Sequence, residues 1–190
     1  GDASSFVSAP VHASVSGTVS AVQEIFGFGK CIAIDNDRNY TLDPSIVPRP
    51  CPDELSVDEL RQVVREAGIV GMGGAAFPAH VKFSPPKDKP IEYLILNGSE
   101  CEPYLTADHR VMLEQPERII AGMKYIMKIL GCSQGFIGIE NNKMDAVDAL
   151  TSVPGRPPGV QVVVLEEKYP QGSEKHLIFS CTGRQVPSGG

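Results

Sequence analysis

From about residue 53 onward, apolar segments alternate with segments that have the period of amphipathic helices. Three segments are apolar throughout and predict strands buried on both faces: Ile91–Leu96, Phe136–Ile139 and Val160–Leu165. Helices are predicted at Pro116–Leu130 and Lys143–Leu150, and another begins near Gly172. Strands of this kind separated by helices are typical of a parallel sheet covered on both faces. We therefore expect a Rossmann-like α/β domain with flanking helices over residues 53–190.

The first fifty residues have a different pattern, in which short apolar runs alternate with Gly, Ser, Asn, Asp and Pro. Val11–Val22 predicts two short strands on either side of Ser16-Gly17, and Cys31–Ile34 predicts another. The Pro44–Pro52 stretch has the composition of a linker. The pattern indicates a small β module at residues 1–50 that precedes the α/β domain.

A helix with clear end signals leads into a glycine-rich loop. Ser56 and Glu59 form a capping box, and Gly68 supplies the stop. The loop that follows is Gly71-Met72-Gly73-Gly74-Ala75-Ala76-Phe77-Pro78. Its glycines allow backbone N–H groups to approach a phosphate without interference from Cβ atoms. Composition alone is equally compatible with a tight chain reversal. The loop is not a dinucleotide fingerprint, because it follows a helix and Pro78 prevents a long helix after it.

Two polar segments directly follow predicted strands. They are Asn97-Gly98-Ser99-Glu100-Cys101-Glu102-Pro103 and Tyr169-Pro170-Gln171-Gly172-Ser173-Glu174. In an open parallel sheet, ligands bind beyond the carboxyl ends of the strands. On spacing alone, the first segment is also compatible with a turn that carries two solvated acids. We expect these two segments and the glycine loop to form a ligand site together, and Lys82 is the cation near the glycine loop in sequence.

Composition excludes several classes of protein. The chain has 190 residues, of which 42% are hydrophobic and 21% charged, which excludes a wholly disordered chain. Its net charge of −6 gives no electrostatic footprint for nucleic acid. We expect no transmembrane segment and no signal peptide. The five cysteines form no C-x-x-C pair and the four histidines have no ligand spacing, so we expect a reducing compartment and no bound metal.

As a set, these motifs resemble the flavin-binding subunit of respiratory NADH dehydrogenases, and more closely the C subunit of Rnf-type electron transport complexes. The resemblance rests on the glycine loop, on Leu94–Pro103 and on Tyr169–Glu174. The opening segment Ser8–Val19 resembles the small lipoyl-like, barrel-sandwich module that precedes the flavin domain in that family. No carrier lysine stands in its expected turn, so we do not expect a lipoyl acceptor.

The resemblance implies that the chain holds FMN non-covalently over the glycine loop and takes NAD(H) as substrate. The residues that would contact or surround FMN are Gly71, Gly73, Gly74, Lys82, Asn97, Glu100, Tyr169, Gly172 and Glu174. Phe77 would stack on the nicotinamide nucleotide and Glu102 would hydrogen-bond it. Hydride would pass between nicotinamide and flavin, and single electrons would leave to iron–sulfur clusters, so no side chain is expected to act as acid or base.

The resemblance also implies a setting. The chain would be the N-terminal part of a subunit of a membrane-associated ferredoxin:NAD oxidoreductase, peripheral on the cytoplasmic face, with its 4Fe-4S clusters in a C-terminal region and other complex subunits as partners. Met72, Ser99 and Ser173 depart from the dehydrogenases, which have Arg, Asp and Glu there. The lost charges leave two alternatives open: a scaffold subunit with weak or no nucleotide binding, and a cytosolic reductase subunit with another electron donor.

Overall fold

The computed structural model describes residues 5–47, 51–72 and 75–187, and the chain divides into two units between Val81 and Lys82. The sequence pattern places a division near residue 50. The division of the structure falls later because the segment after residue 51 packs with the N-terminal residues. His12 Nε2 donates a hydrogen bond to the Glu66 carbonyl oxygen at 2.8 Å. His80 Nε2 likewise donates to the Phe6 carbonyl oxygen at 2.9 Å.

The first unit contains an antiparallel hairpin of strands β1 (Gly17–Ile25) and β2 (Gly29–Asn36), with an irregular register between Val19 and Ala21. Of the two short strands predicted on either side of Ser16-Gly17, the first is wrong, because residues 11–16 form no strand and β1 begins at Gly17. A Cβ atom at Gly17 would meet the Asp35 carbonyl oxygen at 2.0 Å, so this glycine permits the close approach of two strands instead of a turn. The likeness to a lipoyl-like module stays a prediction.

The capping box is confirmed at the start of helix α1 (Val57–Glu66). Ser56 Oγ accepts from the Glu59 N–H at 3.3 Å, and Glu59 Oε2 accepts from the Ser56 N–H at 2.8 Å. A 3-10 helix at Pro52–Glu54 precedes it. The glycine loop follows α1, and only the four-residue helix α2 (Ala79–Lys82) comes after it, as expected from Pro78.

The second unit is the predicted α/β fold. Strands β3 (Tyr93–Asn97), β4 (Gln134–Glu140) and β5 (Val160–Leu165) form a parallel sheet in the order β3-β4-β5. A Cβ at Gly135 would meet Met123 on one side of the sheet, and a Cβ at Gly138, an odd number of residues further on, would meet Leu177. Because those two side chains belong to different helices, both faces of the sheet are covered.

Four helices accompany this sheet: α3 (Ala107–Glu114), α4 (Pro116–Leu130), α5 (Met144–Thr151) and α6 (Glu174–Thr182). The bounds of α4 match the prediction, since Pro116 starts it and Gly131, in the left-handed conformation, ends it. The core lies between β4 and the helices α4 and α5, where Ile137, Ile139 and Leu150 are fully buried. In the described ranges, no helix is both long and apolar enough to cross a bilayer.

The N-terminus of helix α3 is not capped by the residue next to it. Thr106, at its N-cap position, makes no side-chain capping hydrogen bond. The cap comes instead from Glu100, whose Oε1 accepts from the Asp108 N–H at 2.8 Å and whose Oε2 accepts from the His109 N–H at 3.0 Å. A cap supplied from the preceding loop leaves no signature in the residues adjacent to the helix, so the sequence pattern does not identify Glu100 as the cap.

Candidate functional site

The loops that follow β3 and β5 meet at the carboxyl end of the sheet. Asn97 Nδ2 donates to the Gly172 carbonyl oxygen at 2.8 Å, and Asn97 Oδ1 accepts from the Ser99 N–H at 3.1 Å. A Cβ atom at Gly172 would lie 3.3 Å from Ser99 Cβ and from the Ser99 carbonyl oxygen. Glycine at position 172 therefore allows the two loops to pack this closely, and the predicted convergence of Asn97 and Gly172 is present.

The loop after β3 is also attached to the end of β4. The Glu100 N–H donates to Glu140 Oε2 at 3.1 Å, while the Glu100 carboxylate is turned toward the first turn of α3. Both carboxylate oxygens of Glu100 therefore already accept one hydrogen bond from the protein. The residue holds two elements of the fold together at the edge where the resemblance expects a cofactor contact.

A buried ion pair lies at the end of β4. Lys143 Nζ is 3.0 Å from Glu140 Oε2, and the two side chains are 7% and 1% exposed. Lys143 Nζ also donates to Asn142 Oδ1 at 3.1 Å. Neither residue of the pair was predicted as a site residue. The available signal was a carboxylate directly after the apolar run Phe136–Ile139, followed three residues later by a lysine.

These elements enclose a cleft of about 590 Å³. Its volume lies within the range of small-molecule and cofactor sites, about 300–1,000 Å³. Among the residues that line it are Glu100, Glu102, Glu140, Lys143, Glu167 and Tyr169. Glu102 is exposed, and Tyr169 is 72% exposed at the mouth. The cleft thus combines carboxylates, one buried ammonium group and an accessible aromatic ring.

Three side-chain oxygens near this edge are buried without a hydrogen-bond partner among the described residues: Ser99 Oγ, Glu140 Oε1 and Gln171 Oε1. Gln171 is 2% exposed and its Nε2 donates to Ser180 Oγ at 3.2 Å. Buried polar atoms are nearly always hydrogen-bonded in proteins, so unpaired acceptors near the carboxyl end of the sheet are suited to a ligand that brings donors. The imide N–H and ribityl hydroxyls of FMN are donors of this kind, so these acceptors fit that cofactor.

One titratable pair beside the cleft connects α3 to α5. His109 Nε2 donates to Asp145 Oδ1 at 2.8 Å. This hydrogen bond holds the pKa of the Asp145 carboxyl below its usual value of 3.8. The pair fixes the helix whose first turn is capped by Glu100, so it supports the same wall of the cleft.

The glycine loop belongs to the first unit, and Gly73 and Gly74 lie outside the described residues. Its base is closed by a hydrogen bond from the Gly71 N–H to the Phe77 carbonyl oxygen at 2.8 Å. The Met72 side chain is 97% exposed and that of Phe77 is 45% exposed. A Cβ at Gly71 would meet no described atom closer than the Phe77 carbonyl oxygen, at 3.7 Å. Packing within the described chain therefore does not require glycine at this position.

Lys82 and Glu174, the last two of the residues predicted to surround FMN, have exposed side chains. Lys82 is the last residue of α2, and Glu174 is the first residue of α6. Ser173 precedes Glu174, and its Oγ is 2.6 Å from His176 Nδ1. Both charged side chains are thus accessible to a ligand, and their roles stay predictions.

A comparison with models of known protein families identifies the family of this chain. The family model described as the Nuo51 FMN-binding domain matches residues 64–190. The chain belongs to the Nuo51 FMN-binding domain family. The match includes the glycine loop and both strand-end loops.

Curated relatives of this Nuo51-type domain come from ion-translocating complexes. The chain is 49% identical over 193 residues to the C subunit of a Na+-translocating ferredoxin:NAD+ oxidoreductase complex from Acetobacterium woodii, covering 100% of this chain and 44% of that protein. It is 51% identical over 189 residues to the C subunit of a proton-translocating ferredoxin:NAD+ oxidoreductase complex from Clostridium ljungdahlii, covering 97% and 41%. The chain spans less than half the length of these relatives, and the resemblance to Rnf-type C subunits is confirmed.

A solved structure shares the fold of the Nuo51-type domain. The crystal structure of an NAD+-reducing NiFe-hydrogenase in the air-oxidized state matches with a TM-score of 0.60 at 25% sequence identity, covering 69% of this chain and 25% of that chain. The α/β prediction is therefore supported by an independent structure as well as by the parallel sheet.

Proposed function

We propose that this chain binds FMN non-covalently and, within a membrane-associated ferredoxin:NAD+ oxidoreductase complex, takes part in electron exchange between NAD(H) and iron–sulfur clusters. The observation that carries the proposal is the meeting of the Asn97 and Gly172 loops at the carboxyl end of the sheet, beside buried acceptors that have no partner among the described residues. Parallel sheets bind their ligands at this edge. Named relatives that belong to such complexes give the setting.

The chain's own part in this function is placement. Bound FMN would convert between two-electron exchange with a nicotinamide and one-electron exchange with a metal cluster. Asn97, Ser99 and Gln171 would hold its hydrogen-bond donors at the strand ends. The backbone N–H groups of the glycine loop and the Lys82 ammonium group would hold its phosphate, because N–H dipoles present partial positive charge at close range and the ammonium group carries a full positive charge. No residue needs to carry a proton for this role.

Phe77 and Glu102 would hold the nicotinamide nucleotide. The Phe77 side chain is 45% exposed, so part of its aromatic ring is accessible for stacking. Glu102 is exposed and lines the cleft, where its carboxylate can accept from hydroxyl or amide groups of the nucleotide. The iron–sulfur clusters and the other subunits of the complex would receive the electrons, and the association with the membrane would be peripheral, on the cytoplasmic face.

A second candidate is a scaffold subunit of the same family with weak nucleotide binding. Met72 supports it, because a 97%-exposed thioether stands on the glycine loop where a cation would attract a phosphate. The Ser99 and Ser173 side chains are likewise uncharged. In this case the fold and the contacts with other subunits would be retained, while the affinity for FMN would be low.

A titration of the full-length protein separates the candidates. FMN is added to the apo-protein while the quenching of flavin fluorescence is followed, and NADH is then added anaerobically while the visible flavin absorbance is followed. We expect saturable binding followed by bleaching, and we expect Glu102→Gln to raise the NADH concentration needed for half-bleaching without changing the Kd for FMN. If the flavin is bleached by an electron donor other than NADH but not by NADH, the cytosolic-reductase alternative is favoured. Absence of both binding and bleaching contradicts the proposal.

A further inference from the structure

The buried carboxylate of Glu140 connects the end of β4 to the loop that follows β3. One of its oxygens, Oε2, accepts from Lys143 Nζ at 3.0 Å and from the Glu100 N–H at 3.1 Å. Glu140 is the last residue of β4 and lies two residues beyond Gly138, which pairs with Asn97. Together with the bond from Asn97 to Gly172, this contact links the end of β4 to the loops that follow β3 and β5.

Stability alone is a poor reason for an ion pair at this place. The free energy needed to remove two charges from water is often larger than the attraction between them. Apolar residues of similar volume therefore commonly stabilise a protein core as well as a buried ion pair does. The pair lines the cleft instead of the middle of the core, and Glu140 Oε1 is a buried acceptor without a partner among the described residues. These two facts relate the pair to the site.

Lys143 has a second effect, which is electrostatic. Besides the pair, the cleft carries the carboxylates of Glu100, Glu102 and Glu167 and one exposed ammonium group, that of Lys168. An uncompensated Glu140 would add another negative charge in a region shielded from water, where Coulomb interactions are strong. The phosphates of flavin and nicotinamide nucleotides are anionic, so neutralising Glu140 keeps the cleft compatible with them.

We propose that Glu140, neutralised by Lys143, is a positioning residue of the flavin site: its carboxylate fixes the Glu100 backbone and thereby the loop Asn97–Pro103 that bound FMN contacts. This inference rests on the proposed function. Glu140 acts through the Glu100 N–H, and its own contact with the cofactor is not required.

Two double variants of the full-length protein isolate the hydrogen bond to Glu100. Both Glu140→Gln/Lys143→Met and Glu140→Met/Lys143→Met remove the two buried charges and keep similar side-chain volumes. Only the first retains an acceptor for the Glu100 N–H. We expect the first to bind FMN within threefold of the wild type and the second to bind at least tenfold more weakly. The Kd is measured by quenching of FMN fluorescence at a temperature where circular dichroism shows both variants to be folded.

The single variant Lys143→Met tests the electrostatic part. We expect its Kd for FMN to rise at least tenfold and the Glu140→Gln/Lys143→Met variant to recover most of that loss, because the added substitution removes the uncompensated charge. Arg184→Met is the control. This substitution breaks an exposed ion pair between Arg184 and Glu92, whose charged atoms are 2.6 Å apart. Glu92 lies next to the amino end of β3, at the opposite end of the strand from Asn97, so the Kd for FMN should not change.

The outcomes are distinguishable. If the wild type binds FMN and the two double variants bind it equally well, Glu140 is not a positioning residue, while the proposed function stands. If the wild type does not bind FMN, both the proposed function and this inference fail. A loss of thermal stability in the Glu140→Met/Lys143→Met variant with an unchanged Kd assigns the pair to folding alone and also overturns the proposal.

Discussion

The Asn97 side-chain amide donates a hydrogen bond to the carbonyl oxygen of Gly172, 75 residues further along the chain, at a distance of 2.8 Å. The same side chain accepts from the Ser99 N–H at 3.1 Å. The amide nitrogen and the amide oxygen of Asn97 thus each make a hydrogen bond within the protein. One residue thereby fixes the conformation of its own loop and the distance between this loop and the loop that contains Gly172. The candidate site depends on this contact, since each loop supplies residues that the family resemblance assigns to FMN.

Replacing Asn97 by aspartate tests this contact. Asn97→Asp keeps the acceptor for Ser99 and loses the donor for Gly172, where a carboxylate would then face a carbonyl oxygen. We expect a loss of about 1–2 kcal/mol in the free energy of unfolding, the usual cost of such a hydrogen bond. We also expect FMN to bind at least tenfold more weakly. Urea denaturation and fluorescence titration measure the two effects.

Asn141→Asp is the matched control for Asn97→Asp. Asn141 Oδ1 accepts from the Glu167 N–H at 3.1 Å, so an aspartate there keeps the contact. The expected change in unfolding free energy is within about 0.5 kcal/mol, as for other exposed substitutions. Equal losses in the two variants would show that the added charge, and not the lost donor, is responsible.

Much of the fold was predictable because its signals are local. The segment Val160–Leu165 is apolar throughout and is a strand with the predicted bounds, and Pro116 and Gly131 delimit α4. The start of β1 was not predictable in this way. Gly17 has the appearance of a turn residue in the sequence, and only its pairing with Asn36 shows its use.

The part of the candidate site that follows from the strand order and direction could be predicted from the sequence. Because parallel strands end at one edge, the loops containing Asn97 and Gly172 were expected to converge. The contacts of Glu100 with α3 and with Glu140 could not be deduced, since they join residues that are between eight and forty positions apart in sequence. Long-range pairing of this kind leaves no periodic signal.

A substitution at Gly71 tests whether the glycine loop binds a ligand or only reverses the chain. Gly71 lies outside the left-handed region, and a Cβ there would have ordinary contacts with the described residues. Gly71→Val should therefore change the free energy of unfolding by no more than about 0.5 kcal/mol. If the loop holds a phosphate, the branched side chain should weaken FMN binding at least tenfold. Wild-type affinity in a stable Gly71→Val variant would favour the chain reversal.

The contact between His109 and Asp145 predicts a pH dependence of stability. Since the pKa of Asp145 is lowered in the folded chain, its contribution is present above the ordinary value of 3.8 and is lost as the pH falls through the lower folded-state pKa. The stability difference between the wild type and Asp145→Ala should therefore be constant above about pH 5 and should narrow as the pH falls below about 4. Urea denaturation at several pH values measures it. Asp148→Ala, an exposed change on the same helix, should show no such narrowing.

The five free cysteines predict an order of thiol reactivity. Burial raises the pKa of the Cys132 and Cys181 thiols. Only the thiolate reacts with an alkylating reagent, so both residues should be modified slowly at pH 8, whereas the exposed Cys51 should be modified first. Mass spectrometry of peptides after brief treatment with iodoacetamide gives the order, and the same treatment in urea should remove the differences. Rapid modification of Cys181 in the folded protein would contradict the packing of α6 against the sheet, where a Cβ at Gly138 would lie 3.4 Å from Cys181 Sγ.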